Sequence, residues 1–369
     1  MEFAESSSAP IPEINFSLLP PTQKGVDRVH WVEYRPSGQV LENNPIDFII
    51  PGNGADYIDL KRSYLHTKFQ VLKADGTEVG ADDHVSVINL IHHTMWSQID
   101  TFLNQQLVSS STNNYGYKAY LDTLLHNDKQ VKDTRLQSHL WYGDTAGAMD
   151  AANPLTGGNS GLAYRYALVG ANKQAHTYGP LLTDLAQMDK WIMNGIDVHI
   201  RLWPAKNTFT LMKEDTITGD FKIKISSIVL QACKITLKPD VLTAQNGMKS
   251  LAIYPYKRSR IQTFSIPTGS YLFREDNLFQ FDKPSQLIVG FVSSNAYQGS
   301  YTKNPFNFVH EKINQIALYV NDVSLPGQPM KLNFDKGDYL EAYNSLFKSF
   351  GIDTQDKGNN IDVDDYQKG

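Results

Sequence analysis

Apolar and polar residues alternate in short runs along most of this chain, and Gly, Pro, Asn and Asp bound the runs. "NPIDFIIPG" alternates and stops at Pro51-Gly52. "SYLHTKFQVL" alternates cleanly and meets the turn Ala74-Asp75-Gly76. "IDVHIRLW" places Ile196, Val198, Ile200 and Leu202 on one face. "FKIKISSIVLQACKITL" opens with Phe221, Ile223 and Ile225 between Lys222 and Lys224, the pattern of a strand with one wet face. "SQLIVGFVSS" reads as a strand buried on both faces. Period two dominates and predicts an all-β chain. Helical spacing is confined mainly to "YGYKAYLDTLLHND" and "DYLEAYNSLFKSF", which predict short helices in loops.

A longer repeat lies over this pattern. "VINLIHHTMWSQIDTFLN" and "FNFVHEKINQIALYVN" share an order of landmarks. His93 stands five residues before Gln98-Ile99, and His310 five before Gln315-Ile316. Each pair leads to an aromatic (Phe102, Tyr319), an aliphatic (Leu103, Val320) and an asparagine (Asn104, Asn321). Phe-x-Ile-Pro begins at Phe48 and again at Phe264, at nearly the same distance upstream. Ala119-Tyr120 and Ala342-Tyr343 follow downstream in the two expected helices. Three matches in one order predict duplication of a whole β domain. His93 and His310 are expected at equivalent strand positions, with Asn104 and Asn321 opening the turns that follow.

The expected organisation is an extended arm (1–25), a first barrel (26–212), a second barrel (213–350) and an acidic flexible tail (351–369). Such halves suggest two packed jelly rolls. The arm is rich in Ser and Pro, with isolated anchors Ile14, Phe16, Leu18 and Leu19 before Pro20-Pro21. It is expected to order in a neighbour's groove. The stretch 127–179 reads as a surface excursion, too long for a plain turn and so expected to be functional or contact-making. Its Trp141, Tyr142, Tyr164 and Tyr166 are candidate subunit-interface anchors.

Composition narrows the function classes. A net charge of -5 over 369 residues carries no nucleic-acid footprint for the chain as a whole. The single cysteine, Cys233, rules out an intrachain disulfide framework, and its apolar run reads as a buried structural thiol. No apolar run is long enough for a membrane-spanning helix. The N-terminus lacks the basic start and apolar core of a secretory signal, so the sequon Asn15-Phe16-Ser17 reads as chance.

Candidate chemistry is sparse. His92 and His93 are adjacent, and on a strand they would point to opposite faces, unable to share a metal. "GGNSG" at 157–161 fails the Gly-x-Ser-x-Gly pattern of a nucleophile elbow and reads as a loop tip. The aspartates from Asp353 onward fail as a calcium loop, because Lys357 stands where an oxygen ligand is needed. Asp47, Asp56 and Asp59 flank a strand end without a catalytic partner set. Lys257, Arg258 and Arg260 lie between aromatics in "YPYKRSRIQTF" and form a candidate nucleic-acid contact, beside a reading as a solvated face or subunit contact. No catalytic, cofactor-binding or metal-binding residue is assigned.

Longer strings carry a family resemblance. "FSLLPPTQKG", "FIIPGNGADYIDLKRSYLH", "SQIDTFLNQQLV", "MNGIDVHIRLWPAKNTFTLM", "TFSIPTG" and "GSYTKNPFNFVH" span residues 16 to 350. With "IALYVN" and "YLEAYNSLF" further on, they resemble the double jelly-roll major capsid proteins of Polinton (Maverick) elements and adintoviruses. The resemblance implies a homotrimer, pseudo-hexagonal because each subunit supplies two similar barrels, tiling an icosahedral shell around double-stranded DNA. It also implies penton and minor capsid partners, a place in the virion capsid after assembly in the host cell, and no enzymatic activity. The chain is compact for that family, which leaves little room for long outer loops. A minor capsid or spike protein, and a carbohydrate-binding protein or glycosidase on paired jelly rolls, are the alternatives.

Overall fold

The computed structural model describes residues 23–368 except 53, 110–112, 248–251 and 280–283. Twelve strands appear among these residues. They are β1 (Val26–Tyr34), β2 (Ile46–Ile50), β3 (Asp56–Lys73), β4 (Ser86–Val87), β5 (Trp96–Leu103), β6 (Gln106–Leu107), β7 (Gln174–Pro180), β8 (Val198–Pro204), β9 (Leu211–Met212), β10 (Phe221–Leu237), β11 (Gln315–Val320) and β12 (Val323–Lys331). Helices between them are short, so the all-β reading holds.

Two four-stranded antiparallel sheets build the first half, in the orders β1-β10-β3-β7 and β2-β8-β5-β6. Successive long strands cross from one sheet to the other, which is the winding of a jelly roll. The alternation read from sequence sets the register. Leu65, Thr67, Phe69 and Val71 of β3 are buried, while Tyr64, His66, Lys68 and Gln70 between them are partly exposed. Val198, Ile200 and Leu202 of β8 and Phe48 and Ile50 of β2 are buried in the same core. Fully burying each such side chain contributes roughly 1.5–3 kcal/mol.

The boundary expected at 212/213 is corrected. β10 lies between β1 and β3, with Trp31 opposite Cys233 on one side and His66 opposite Val229 on the other. A half-exposed strand satisfies its backbone groups by pairing on both edges, so the first barrel extends to Leu237. Cys233 is fully buried there, and its amide donates to Ser63 Oγ at 3.0 Å.

The excursion 127–179 is also corrected. It contains the helix Ser160–Val169 and most of β7, an edge strand of the first barrel. Leu136, Leu140, Trp141, Met149 and Leu162 join the core. "GGNSG" is not a loop tip: Asn159 is buried and caps the helix, its side chain accepting from the Leu162 amide. Gly161 packs where a Cβ would sit 2.4 Å from the Gly143 carbonyl oxygen.

From residue 252 onward, the named strands among the described residues are the β11–β12 hairpin. "SQLIVGFVSS" differs from its expected buried strand: Leu287, Ile288 and Val289 are exposed. A second core gathers Leu332, Phe334, Tyr339 and Ala342, with Tyr366 packed against it. The tail is docked rather than flexible. Asn359 is buried, its carbonyl accepts from Lys132 Nζ, and the helix Val363–Lys368 brings Tyr366 onto Tyr339 and Tyr343. Sparse apolar residues suffice for this docking because preformed aromatic surface receives them.

Candidate functional site

The repeat seen in sequence appears as a repeated device. Asn104-Gln105 joins β5 to β6, and Asn321-Asp322 joins β11 to β12. All four loop residues have positive φ, between 46° and 68°. That is the signature of a two-residue type I′ turn, which matches the right-handed strand twist and favours Asn. The helix with Ala-Tyr follows in both cases, as Tyr115–His126 and Leu340–Lys348. The histidines depart from expectation. His93 lies on the helical turn Ile91–Thr94 and His310 precedes a turn at Glu311-Lys312, so neither is on a strand.

Aromatic stacking ties the second half to the first. Phe306 lies flat on Tyr120, with centroids 4.0 Å apart and planes 2° apart. Tyr297 stacks on Tyr117 at 5.8 Å. Tyr254 accepts from the Met193 amide, and Tyr256 donates to the Val108 carbonyl. Lys257, Arg258 and Arg260 in the same stretch are exposed. The tyrosines of this run therefore hold it to the barrel while its cations face outward.

A buried polar network locks the junction, and sequence reasoning missed it. Arg165 is fully buried. It donates to the Val87 carbonyl at 2.9 Å, the Tyr142 carbonyl at 2.6 Å and Asp144 Oδ1 at 2.5 Å. The second Asp144 oxygen accepts from Asn304 Nδ2 at 3.1 Å, and Asn304 Oδ1 receives the Phe306 amide. The Arg165–Asp144 pair thus joins β4, the excursion and, through Asn304, the second half. Arg165 and Asp144 stand apart in sequence among neutral neighbours, with no spacing signal to couple them.

The candidate interface residues separate. Ile14, Phe16, Leu18 and Leu19 lie outside the described residues. Trp141 is corrected: it is 5% exposed, packs on Tyr120 and serves its own barrel's core. Tyr142 is partly buried, and Tyr166 is partly buried beside His84. Tyr164 alone of these four is open, 63% exposed and stacked on Tyr142 at 5.8 Å. More open apolar surface lies in the second half, on Phe264, Tyr271, Leu272, Tyr319 and Val323.

The ionisable groups near strand ends are paired. Asp47 Oδ1 accepts from His199 Nε2 and Arg201 Nε, each at 2.7 Å. Partial burial alone would raise its pKa, but the hydrogen bonds from Arg201 and His199 outweigh that and hold the carboxyl below its ordinary value. Asp59 pairs with Arg62, and Asp56 accepts from Thr236. Among the described residues, no three His, Cys, Asp or Glu side chains converge as metal ligands would. No described helix is long and apolar enough to cross a membrane. An open polar recess of about 400 Å³ lies between Thr208, Lys213 and Tyr301. Asp215 lines it as well.

Comparison with known proteins adds relatives. No family model matches the chain. It is 24% identical over 344 residues to an uncharacterized protein of Caenorhabditis elegans, covering 90% of this chain and 79% of that one. Among solved structures it is similar to the Sputnik virophage (11% identity, TM-score 0.43, 64% of this chain and 54% of that chain). It is also similar to the faustovirus major capsid protein (11%, 0.37, 62% and 57%) and the mavirus major capsid protein (12%, 0.33, 64% and 52%). The chain spans about half the length of these solved chains.

Proposed function

We propose that this chain is a major capsid protein of the Polinton and adintovirus type. Three copies form a pseudo-hexagonal capsomer, and capsomers tile an icosahedral shell around double-stranded DNA. The observation that carries the reading is the run of family-like strings through both halves, from residue 16 to 350, over a first half wound as a jelly roll. The repeated type I′ hairpin and following helix support a second half of common plan. A duplicated barrel lets three chains present six similar edges. The role is structural and needs no catalytic residue. The arm (1–22) and Tyr164 act between subunits, while penton and minor capsid proteins close the shell. Lys257, Arg258 and Arg260 supply a basic strip for packaged DNA.

The test is mass measurement and electron microscopy of the purified full chain. Trimers of the 41.5 kDa subunit, or closed shells, are expected. A stable monomer that binds oligosaccharide would overturn the reading in favour of a sugar-binding protein.

A further inference from the structure

Three histidines meet in the wall of the first barrel. His92 and His93 occupy the helical turn Ile91–Thr94, and His139 ends the 3-10 turn Arg135–His139. Their ring centroids lie 4.7 Å (His92–His93), 5.0 Å (His92–His139) and 5.3 Å (His93–His139) apart. All three side chains are buried. His92 Nδ1 lies 3.0 Å from Thr177 Oγ1 on β7, and His93 Nδ1 lies 3.0 Å from the Tyr115 hydroxyl. Of the other ring nitrogens, His92 Nε2, His93 Nε2 and His139 Nδ1 make no well-formed hydrogen bond among the described residues.

The surroundings oppose a positive charge. The Tyr115 hydroxyl accepts from the Leu182 amide and has its own proton to give to His93 Nδ1. Protonating that nitrogen would remove the acceptor. The helix Tyr115–His126 presents Lys118, already paired with Asp122 and Asp184. Arg135 of the 3-10 turn and His66 of β3 add repulsion against a charge in the cluster. From β7 come only neutral groups: Thr177 and the carbonyls of Gly179 and Pro180, which favour a charged His92 but are outweighed. Burial, and then the neighbouring cations and rings, hold His92 and His93 well below the ordinary value, and burial brings His139 down to about 4.

We propose that this histidine cluster is a proton-triggered release: packed and neutral at neutral pH, it favours an open barrel wall in acid, because the rings take up protons once they leave the packed cluster. The folded barrel holds the rings neutral, while the unfolded chain takes up protons near the ordinary value of about 6.5. Stability is therefore fully present above about pH 6.5 and lost as pH falls below it. Each suppressed ring raises the unfolding constant up to about tenfold per pH unit, so three give up to about a thousandfold.

Urea unfolding of the full chain, read by tryptophan fluorescence between pH 8 and 5, tests this. The wild-type unfolding constant should be flat above pH 7 and then rise steeply, approaching a thousandfold per unit below pH 6. His93→Gln and His92→Gln should each remove about one tenfold step per unit. A wild-type midpoint unchanged down to pH 5, or a full slope retained in a folded Gln variant, overturns the proposal. Should neither variant fold, nitrogen NMR of labelled wild-type imidazoles decides. Three rings that stay neutral until the barrel opens support the release; rings that titrate near 6.5 in the folded barrel overturn it.

Discussion

His139 and Gly179 share a space that admits no further atom. A Cβ on residue 179 would sit 2.2 Å from His139 Nε2, so a glycine there permits the ring to lie against β7. Gly179→Ala must displace His139 or bend the strand, and overpacking of this type costs about 1–3 kcal/mol. A lower urea midpoint is expected; an unchanged one would show that the ring moves freely. The Arg165–Asp144 pair is the second such point. Removing one member of a fully buried ion pair leaves the other charge stranded, at about 3–5 kcal/mol. Arg165→Met is expected to destabilise by that amount, and Asp144→Asn combined with Arg165→Met by less. A double-variant loss as large as that of Arg165→Met alone, measured by urea titration, would mean that the stranded carboxylate carries no cost. Trp141 belongs with these core residues, so replacing it lowers the melting temperature and does not isolate an interface.

At the scale of elements, the hairpins β5–β6 and β11–β12 are stabilised by the same turn geometry. Gln105 and Asp322 hold φ of 68° and 64°, where a side chain costs about 1–2 kcal/mol and glycine does not. Glycine also adds freedom to the unfolded chain, which offsets about 0.4–1 kcal/mol of that gain. Gln105→Gly and Asp322→Gly are therefore each expected to stabilise by about 0.5 kcal/mol, seen as a small rise in melting temperature. Opposite signs at the two positions would argue against equivalent turns. Among the described residues, β11 and β12 pair only with each other, and a two-stranded sheet is marginal in water unless it is covered. Tyr319, Val323 and Leu325 are exposed on this hairpin. Cover from a neighbouring chain is the arrangement the proposed capsomer provides.

For the whole molecule, the capsomer reading makes the arm and Tyr164 the sites to probe. An obligate interface of this type buries more than about 2,000 Å². Deleting residues 1–22 is expected to leave soluble trimers that assemble poorly, and normal shells from that truncation would sink the role given to the arm. Tyr164→Ala removes an open ring without touching the core. Sedimentation should show weakened trimers at an unchanged melting temperature; full-strength trimers would place Tyr164 outside the interface.

The sequence by itself determined the class of fold, most first-barrel strands and the positions of both turns. Those features are local: period two aligns Leu65, Phe69, Ile200 and Leu202 on inward faces, and Asn at 104 and 321 suits positive φ. "FKIKISSIVLQACKITL" was legible as a strand, but not its place between β1 and β3, because pairing partners are far apart in the chain. The arm's anchors and the basic strip were legible as candidates from composition alone. Tertiary structure alone decided that Trp141 faces its own core, that His92 and His93 ride a helical turn beside His139, and that Arg165 reaches Asp144. It also decided that the tail docks, through Lys132 on Asn359 and Tyr366 on Tyr339. Each of these joins residues distant in sequence by burial or by a hydrogen bond, and periodicity carries no information about which distant group will be the partner.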